Sequence, residues 1–127
     1  MVNDVLRKQF SNFFGLERVD KSGKLHRDLG VVRGNGDLFL TKDEIYFIQI
    51  MPSREFHIPL SKIIKVEIKG SHNGKSKWPM KVLRIHYEDN SETQIFGVAL
   101  GGKFSFKKGW EDDAFEWKEA IEKLINK

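Results

Sequence analysis

Between Gly36 and Lys69 the chain reads GDLFLTKDEIYFIQIMPSREFHIPLSKIIKVEIK, four short apolar runs separated by turns. Leu38 and Leu40 alternate with Phe39 and Thr41, and Ile45 to Met51 is apolar on both faces. Phe56, Ile58 and Leu60 alternate with Glu55, His57 and Pro59, and Ile64, Val66 and Ile68 alternate with lysines and Glu67. A two-residue period over short runs predicts antiparallel strands with one face buried, and such strands need a second layer to cover that face. The turns at 41–44, 52–54 and 59–61 are short, so this stretch is a meander. Proline cannot donate to a ladder, which places Pro59 at a strand end or on a free edge.

The remaining segments supply more strands and two helical patterns. Val5, Leu6, Phe10, Phe13, Phe14 and Leu16 recur at helical offsets, so residues 1–16 are expected to hold an amphipathic helix that Gly15 stops. Its apolar face, Leu6, Phe10, Phe13 and Phe14, is a candidate interaction surface for the domain's own sheet, a second chain or a membrane. Residues 17–30 are polar, with Ser22-Gly23 as a turn, and read as a connection with at most one short strand. The faint calcium-loop pattern at Asp20 lacks alternate acidic ligands and a closing glutamate. Gly34-Asn35-Gly36 suits a turn or bulge with positive φ. Residues 70–80 form a long polar loop, and Leu83, Ile85 and Tyr87 begin a second hairpin that turns at Asp89-Asn90-Ser91. Phe104 and Phe106 point to a last short strand. Ala114, Trp117, Ile121 and Leu124 mark a helix over 112–126, with Asp113 and Glu116 spaced like a capping box.

Composition limits the function classes. A length of 127 residues fits one core, and ten phenylalanines and three tryptophans oppose disorder. With no cysteine there is neither a disulfide framework nor a thiolate metal site, and a cytoplasmic location is the default. No apolar run approaches the ~20 residues of a spanning helix. The net charge of +4 is uneven: residues 62–81 carry six lysines against Glu67 alone, an excess of +5. Lys62, Lys65, Lys69, Lys75, Lys77 and Lys81, with Trp78, are therefore candidate contacts for an anion or a lipid headgroup. Lysine on an exposed strand also discourages edge-to-edge pairing, which is the plainer reading.

Gly36-Asp37-Leu38-Phe39-Leu40-Thr41 followed by Ile45-Tyr46-Phe47 resembles the "G-x-L-x-L-T, then apolar-x-F" opening of GRAM and bacterial pleckstrin-homology (PH) domains. Ile58-Pro59-Leu60-Ser61-Lys62-Ile63 with Val66 resembles their "I-P-L-x-x-I-x-x-V" run, and Trp117 falls where a PH-like C-terminal helix carries its packed tryptophan. The resemblance covers about residues 31–126. It implies a mainly β fold with α: a bent antiparallel sheet or split barrel of about seven strands capped by a C-terminal helix. The expected organisation is an N-terminal helix at 1–16, a connection at 17–30 and a PH/GRAM-like domain at 31–127. The implied role is binding of lipid headgroups, peptides or proteins. Phosphoinositide-binding PH domains cluster basic residues on their first two strands and the loop between. Here that loop holds one lysine beside Asp43 and Glu44.

Catalytic and cofactor patterns are missing from the sequence. Gly70-Ser71-His72-Asn73-Gly74-Lys75-Ser76 is one residue too short between its glycines for a phosphate-binding loop, and Trp78-Pro79 stands where a helix should begin. His26, His57, His72 and His86 have no metal-ligand spacing, and His57 and His86 fall on strand faces expected to be solvated. Glu111, Asp112 and Asp113 read as helix-start charges. The expectation is a non-enzymatic module without metal or cofactor that binds another protein, a second copy of itself included. The alternative is a module peripheral to an anionic membrane, and nucleic acid ranks below both.

Overall fold

The computed structural model describes residues 5–27, 34–51, 53–69, 71–72, 75–76, 82–100 and 110–126. The strands are β1 (Arg7–Val19), β2 (Leu25–Arg27), β3 (Gly34–Leu40), β4 (Glu44–Gln49), β5 (Arg54–Pro59), β6 (Ile63–Lys69), β7 (Ser71–His72), β8 (Lys75–Ser76), β9 (Val82–Asp89) and β10 (Glu92–Leu100). A 3-10 turn at Leu60–Lys62 makes the corner between β5 and β6, and one helix, α1 (Trp110–Ile125), follows. The main sheet runs β5-β4-β3-β1-β10-β9-β6, with β2 beside the far end of β1 and β7-β8 as a separate ribbon. All pairings are antiparallel.

The expected N-terminal helix is not formed: residues 7–19 are the middle strand of the sheet, paired with β3 and β10. The register shifts between Phe13 and Gly15, where Gly15 takes a φ of 107°. Phe13 faces the main core while Phe14, on the opposite face, packs with Val82 and Ala99 in a second cluster, and the bulge that follows breaks the two-residue alternation so that Leu16, three residues after Phe13, returns to the main core. Apolar residues on both faces of a bulged strand produce the same i, i+3, i+4 spacing as one face of a helix. Phe10 and Phe14 lie on the outer face of β1 and Phe13 on the core face, so Leu6, Phe10, Phe13 and Phe14 do not form one stripe, and Phe13 and Phe14 are fully buried.

Gly34 and Gly36 also differ from expectation. They lie inside β3, and neither has positive φ. A Cβ at Gly36 would collide with the Ile48 carbonyl and the Phe47 ring, so the residue is glycine because β4 passes too close for a side chain.

In β6 the register shift between Ile63 and Lys65 turns Ile63 to the core and leaves Ile64, expected on the buried face, 55% exposed; in the other strands the alternation holds. Leu38, Leu40, Ile45, Phe47, Ile58, Val66, Leu83, Ile85, Phe96 and Val98 form one core with Ala114, Trp117 and Ile121 of α1. Phe13, Phe56 and Phe96 pack together within it, Phe13 stacked on Phe96 and the other pairs tilted, with ring centroids 4.7–5.6 Å apart. The Arg7 guanidinium lies 5.9 Å from the Trp117 ring and bonds Glu116 at 3.2 Å, which ties α1 to the start of β1. Asn90 and Ser91, both with positive φ, form the two-residue turn of the β9–β10 hairpin. The expected strand at Phe104 and Phe106 lies outside the described residues. Among the described residues, no helix is long and apolar enough to cross a membrane.

Candidate interaction surface

Strand register determines what the outer face of the sheet, the side away from α1, presents. Lys8 on β1 stands opposite Phe39, Phe39 opposite Tyr46, and Tyr46 opposite His57. The Lys8 ammonium sits 5.6 Å from the Phe39 ring, Phe39 and Tyr46 stack at 4.5 Å, and Tyr46 and His57 stack at 5.4 Å. Flanked by two rings, Tyr46 is buried, and that burial, helped by Glu44 and Glu55, pushes its hydroxyl pKa up. His57 Nε2 is 3.0 Å from Glu55 and Nδ1 is 3.0 Å from Glu44. Hydrogen bonds to these carboxylates, Glu55 first, raise the imidazole pKa and favour the doubly protonated ring. The next row holds Phe10, Asp37, Ile48 and Glu55. Ile48, Ile50 and Met51, where β4 turns toward β5, are 38%, 60% and 79% exposed.

The other half of the outer face is ionic. Arg84 on β9 bonds Glu67 on β6 through Nε at 3.1 Å and reaches Glu17 on β1 through Nη2 at 3.1 Å. Gly97, opposite Arg84 on the intervening β10, has no side chain and leaves the guanidinium a path. His86 Nε2 meets Glu67 at 2.6 Å. His86, expected to be solvated, is buried. That burial, with Lys65 and Arg84 nearby, outweighs Glu67 and pushes the imidazole pKa down. The ring is thus neutral at neutral pH and donates its Nε2–H to Glu67. Burial acts to raise the Glu67 carboxyl, but its hydrogen bond with His86 and the Arg84 and Lys65 charges hold it below the usual range.

At the far end of β1 from Arg7, Leu16, Glu17, Arg18, His26, Tyr87 and Gln94 help line a groove of about 470 Å³. Asp20 Oδ1 accepts from the Ser22 hydroxyl and from the Ser22 and Lys24 amides, closing the β1–β2 turn, while Oδ2 meets His26 Nε2 at 2.8 Å. Those bonds, led by the Ser22 hydroxyl and His26, hold the Asp20 carboxyl well below the usual range. Arg18 is paired with Glu92 at 3.1 Å. The groove wall mixes both signs of charge, so it offers no concentrated field for an anion.

Of the lysines singled out above, Lys62, Lys65 and Lys69 are exposed on the 3-10 turn and β6. Lys69 is 4.0 Å from Glu67, which offsets part of their field. Lys75 belongs to β8, and Lys77, Trp78 and Lys81 lie outside the described residues. The Phe39–Tyr46–His57 ladder and the carboxylates around His57 were not singled out from the sequence. The alternation places Phe39, Glu55 and His57 on solvent-side positions, while Tyr46 falls in a run apolar on both faces, and only the register makes them neighbours. Among the described residues, no group of three or more His, Asp and Glu side chains is arranged to hold a metal ion.

No protein-family model matches the chain, and no curated protein matches it. Several solved structures share its fold, two of which are these. The C-terminal domain of an unknown protein from Leishmania infantum superposes with a TM-score of 0.55 at 16% identity, over 97% of this chain and 84% of that one. The hSac2 domain from human phosphoinositide phosphatase Sac2 gives a TM-score of 0.53 at 13% identity, over 94% of this chain and 73% of that one. At these identities the likeness concerns the fold alone.

Proposed function

We propose that this chain is a non-catalytic binding module of PH-like architecture whose ligand is a protein. The strand order β5-β4-β3-β1-β10-β9-β6 with a helix after the last strand, together with the short motifs at 36–47 and 58–66, supports the PH-like reading. The observation that carries the protein-binding reading is the cluster of exposed apolar side chains at Ile48, Ile50 and Met51, beside the terminal strand β5. Burying apolar surface of this kind contributes about 25 cal/mol per Å². A flanking edge strand adds backbone hydrogen bonds to a docked segment.

The test is affinity capture from the cells that make the protein, with wild type and Ile50→Asp/Met51→Asp as baits. A protein held by the wild type and lost by the variant, at unchanged thermal stability, supports the reading. Identical capture by both baits removes the site. A second reading, adsorption to an anionic membrane, draws on the exposure of Lys62, Lys65 and Lys69.

A further inference from the structure

Within that binding-module reading, the partner can be specified from the backbone of β5. The Leu60 N–H donates to the Asp43 carbonyl at 2.9 Å, and residues 44–49 pair with 59–54 in the same register. In an antiparallel pair, the N–H and C=O of every second residue turn toward the same neighbour. Ile58, Phe56 and Arg54 therefore turn to β4, while Glu55 and His57 turn both backbone groups to the open edge. Pro59 also faces outward, at the one kind of position where its missing N–H costs nothing. Among the described strands, β5 pairs with β4 alone.

A strand that fits this edge must present outward backbone groups two residues apart, with a base opposite Glu55 and an acid opposite His57. β5 itself meets that description. We propose that a second copy of the chain pairs antiparallel with β5, centred on Phe56, so that Glu55 of one protomer faces His57 of the other and His57 faces Glu55.

The neighbouring registers are disfavoured by the same residues. Centring on Glu55 sets two glutamates against each other, and like charges directly opposite destabilise a pair. Centring on His57 opposes two imidazolium rings and puts Pro59 opposite Glu55, inside the ladder. The Phe56 register keeps Pro59 outside, where it meets Ser53 of the turn. On the outer face, the row Lys8–Phe39–Tyr46–His57 then continues into the partner's Glu55 and the partner's Ile48, one of the exposed apolar residues. The joint is one short strand, so the dimer dissociates on dilution.

Sedimentation velocity over a range of concentrations tests this with wild type, Glu55→Lys and Glu55→Lys/His57→Glu. The expected result is a mass that rises with concentration for wild type, stays monomeric for the single variant and rises again for the charge swap. Because the chain has no cysteine, Glu55→Cys and His57→Cys chains can be mixed and oxidised. Opposed residues in a hydrogen-bonded pair have Cα atoms about 5.5 Å apart, within disulfide reach. A disulfide in the mixture and none in either variant alone is expected. A wild type that stays monomeric at every concentration, a dimer indifferent to Glu55→Lys, or no disulfide in the mixture overturns the self-pairing. If Ile50→Asp/Met51→Asp still loses a captured protein in that event, the binding-module reading survives with a foreign occupant. If it does not, both fall.

Discussion

One half of the outer face, on β1, β3, β4 and β5, carries Lys8, Phe39, Tyr46 and His57. The other, across β1, β10, β9 and β6, carries Glu17, Arg84, Glu67 and His86. The first puts aromatic rings beneath an exposed ion pair, with Glu55 60% exposed. The second buries its charges, with Glu17 only 3% exposed. Burial decides what each set of charges does. Exposed ions contribute little to stability and stay available to a partner, whereas buried ones must satisfy each other or oppose folding. The edges follow the same division. β6 carries Lys62, Lys65 and Lys69 at its start and along its length and a register shift between Ile63 and Lys65, both devices that discourage pairing. β5 carries one acid and one base at its outward positions.

The largest expected effect comes from breaking the buried set. Arg84→Met removes the guanidinium lying between Glu17 and Glu67, and loss of one partner of a buried pair costs about 3–5 kcal/mol. Urea unfolding at neutral pH measures it. Replacing Glu17 and Arg84 together by Met is expected to recover most of the loss, since the remaining charges pair among themselves. A cost below about 1 kcal/mol for Arg84→Met would place this network with surface ion pairs and erase the contrast between the halves.

A smaller effect belongs to the aromatic half. Gly36→Ala forces β3 away from the Ile48 carbonyl and the Phe47 ring, and overpacking of this kind costs about 1–3 kcal/mol. Thermal unfolding reads it. An unchanged midpoint would mean that β3 and β4 can separate at little cost, and the register that builds the ladder would lose its support.

These sites also mark where the sequence was legible. Leu38, Leu40, Ile58, Leu83 and Ile85 could be read as core, because a half-buried strand alternates whatever lies around it, whereas in the doubly apolar run from Ile45 only the register separates core Ile45 and Phe47 from outward Ile48. Ala114, Trp117 and Ile121 could be read for the equivalent reason in a helix. The strand at 7–19 could not, because one bulge at Phe14 converts a period of two into an apparent helical spacing. Gly36 was legible as special, but its reason is a neighbour in space and not a turn. The burial of His86 was invisible for a similar reason: Glu17, Glu67 and Arg84 are far apart in the chain, and only the sheet brings them together. The β5 edge was half legible. Its alternation and its proline were plain, while the terminal place of β5 and the direction of its amides depend on the fold.

The two histidines sharpen the comparison through pH, and their signs are opposite. His57 has a raised native pKa, so its contribution is full below the unfolded value of about 6.5 and is lost as pH rises through the native one. His86 has a lowered native pKa, so its contribution is present above about 6.5 and is lost as pH falls through the native one. Stability measured from pH 5 to 8 in His57→Gln should lose part of its decline on the alkaline side, and in His86→Gln part of its decline on the acid side. The His57 effect is the smaller, within the 0.2–1 kcal/mol or so of an exposed pair. Imidazole titrations by NMR should give the same order, and a lower pKa for His57 than for His86 would reverse the assignment of wet and buried halves.

The smallest expected change is in the stability of Lys62→Gln/Lys65→Gln/Lys69→Gln, which should stay within about 0.5 kcal/mol of wild type because all three side chains are exposed. Its value lies in what else it does. If the lysines guard β6, neutralising them should let that edge pair, and the variant should associate at concentrations where an edge-blocked Glu55→Lys background is otherwise monomeric. If they read a membrane instead, wild type should co-sediment with anionic vesicles but not neutral ones. Each lysine would add about 1 kcal/mol, and binding would fall steeply between low and physiological salt as the Debye length shortens. Glu67, close to Lys69, argues for the first outcome, since it cancels part of the field a bilayer would feel. Vesicle binding that is strong at physiological salt and lost in the triple variant would move the interaction site from β5 to β6 and replace the protein partner by an anionic surface.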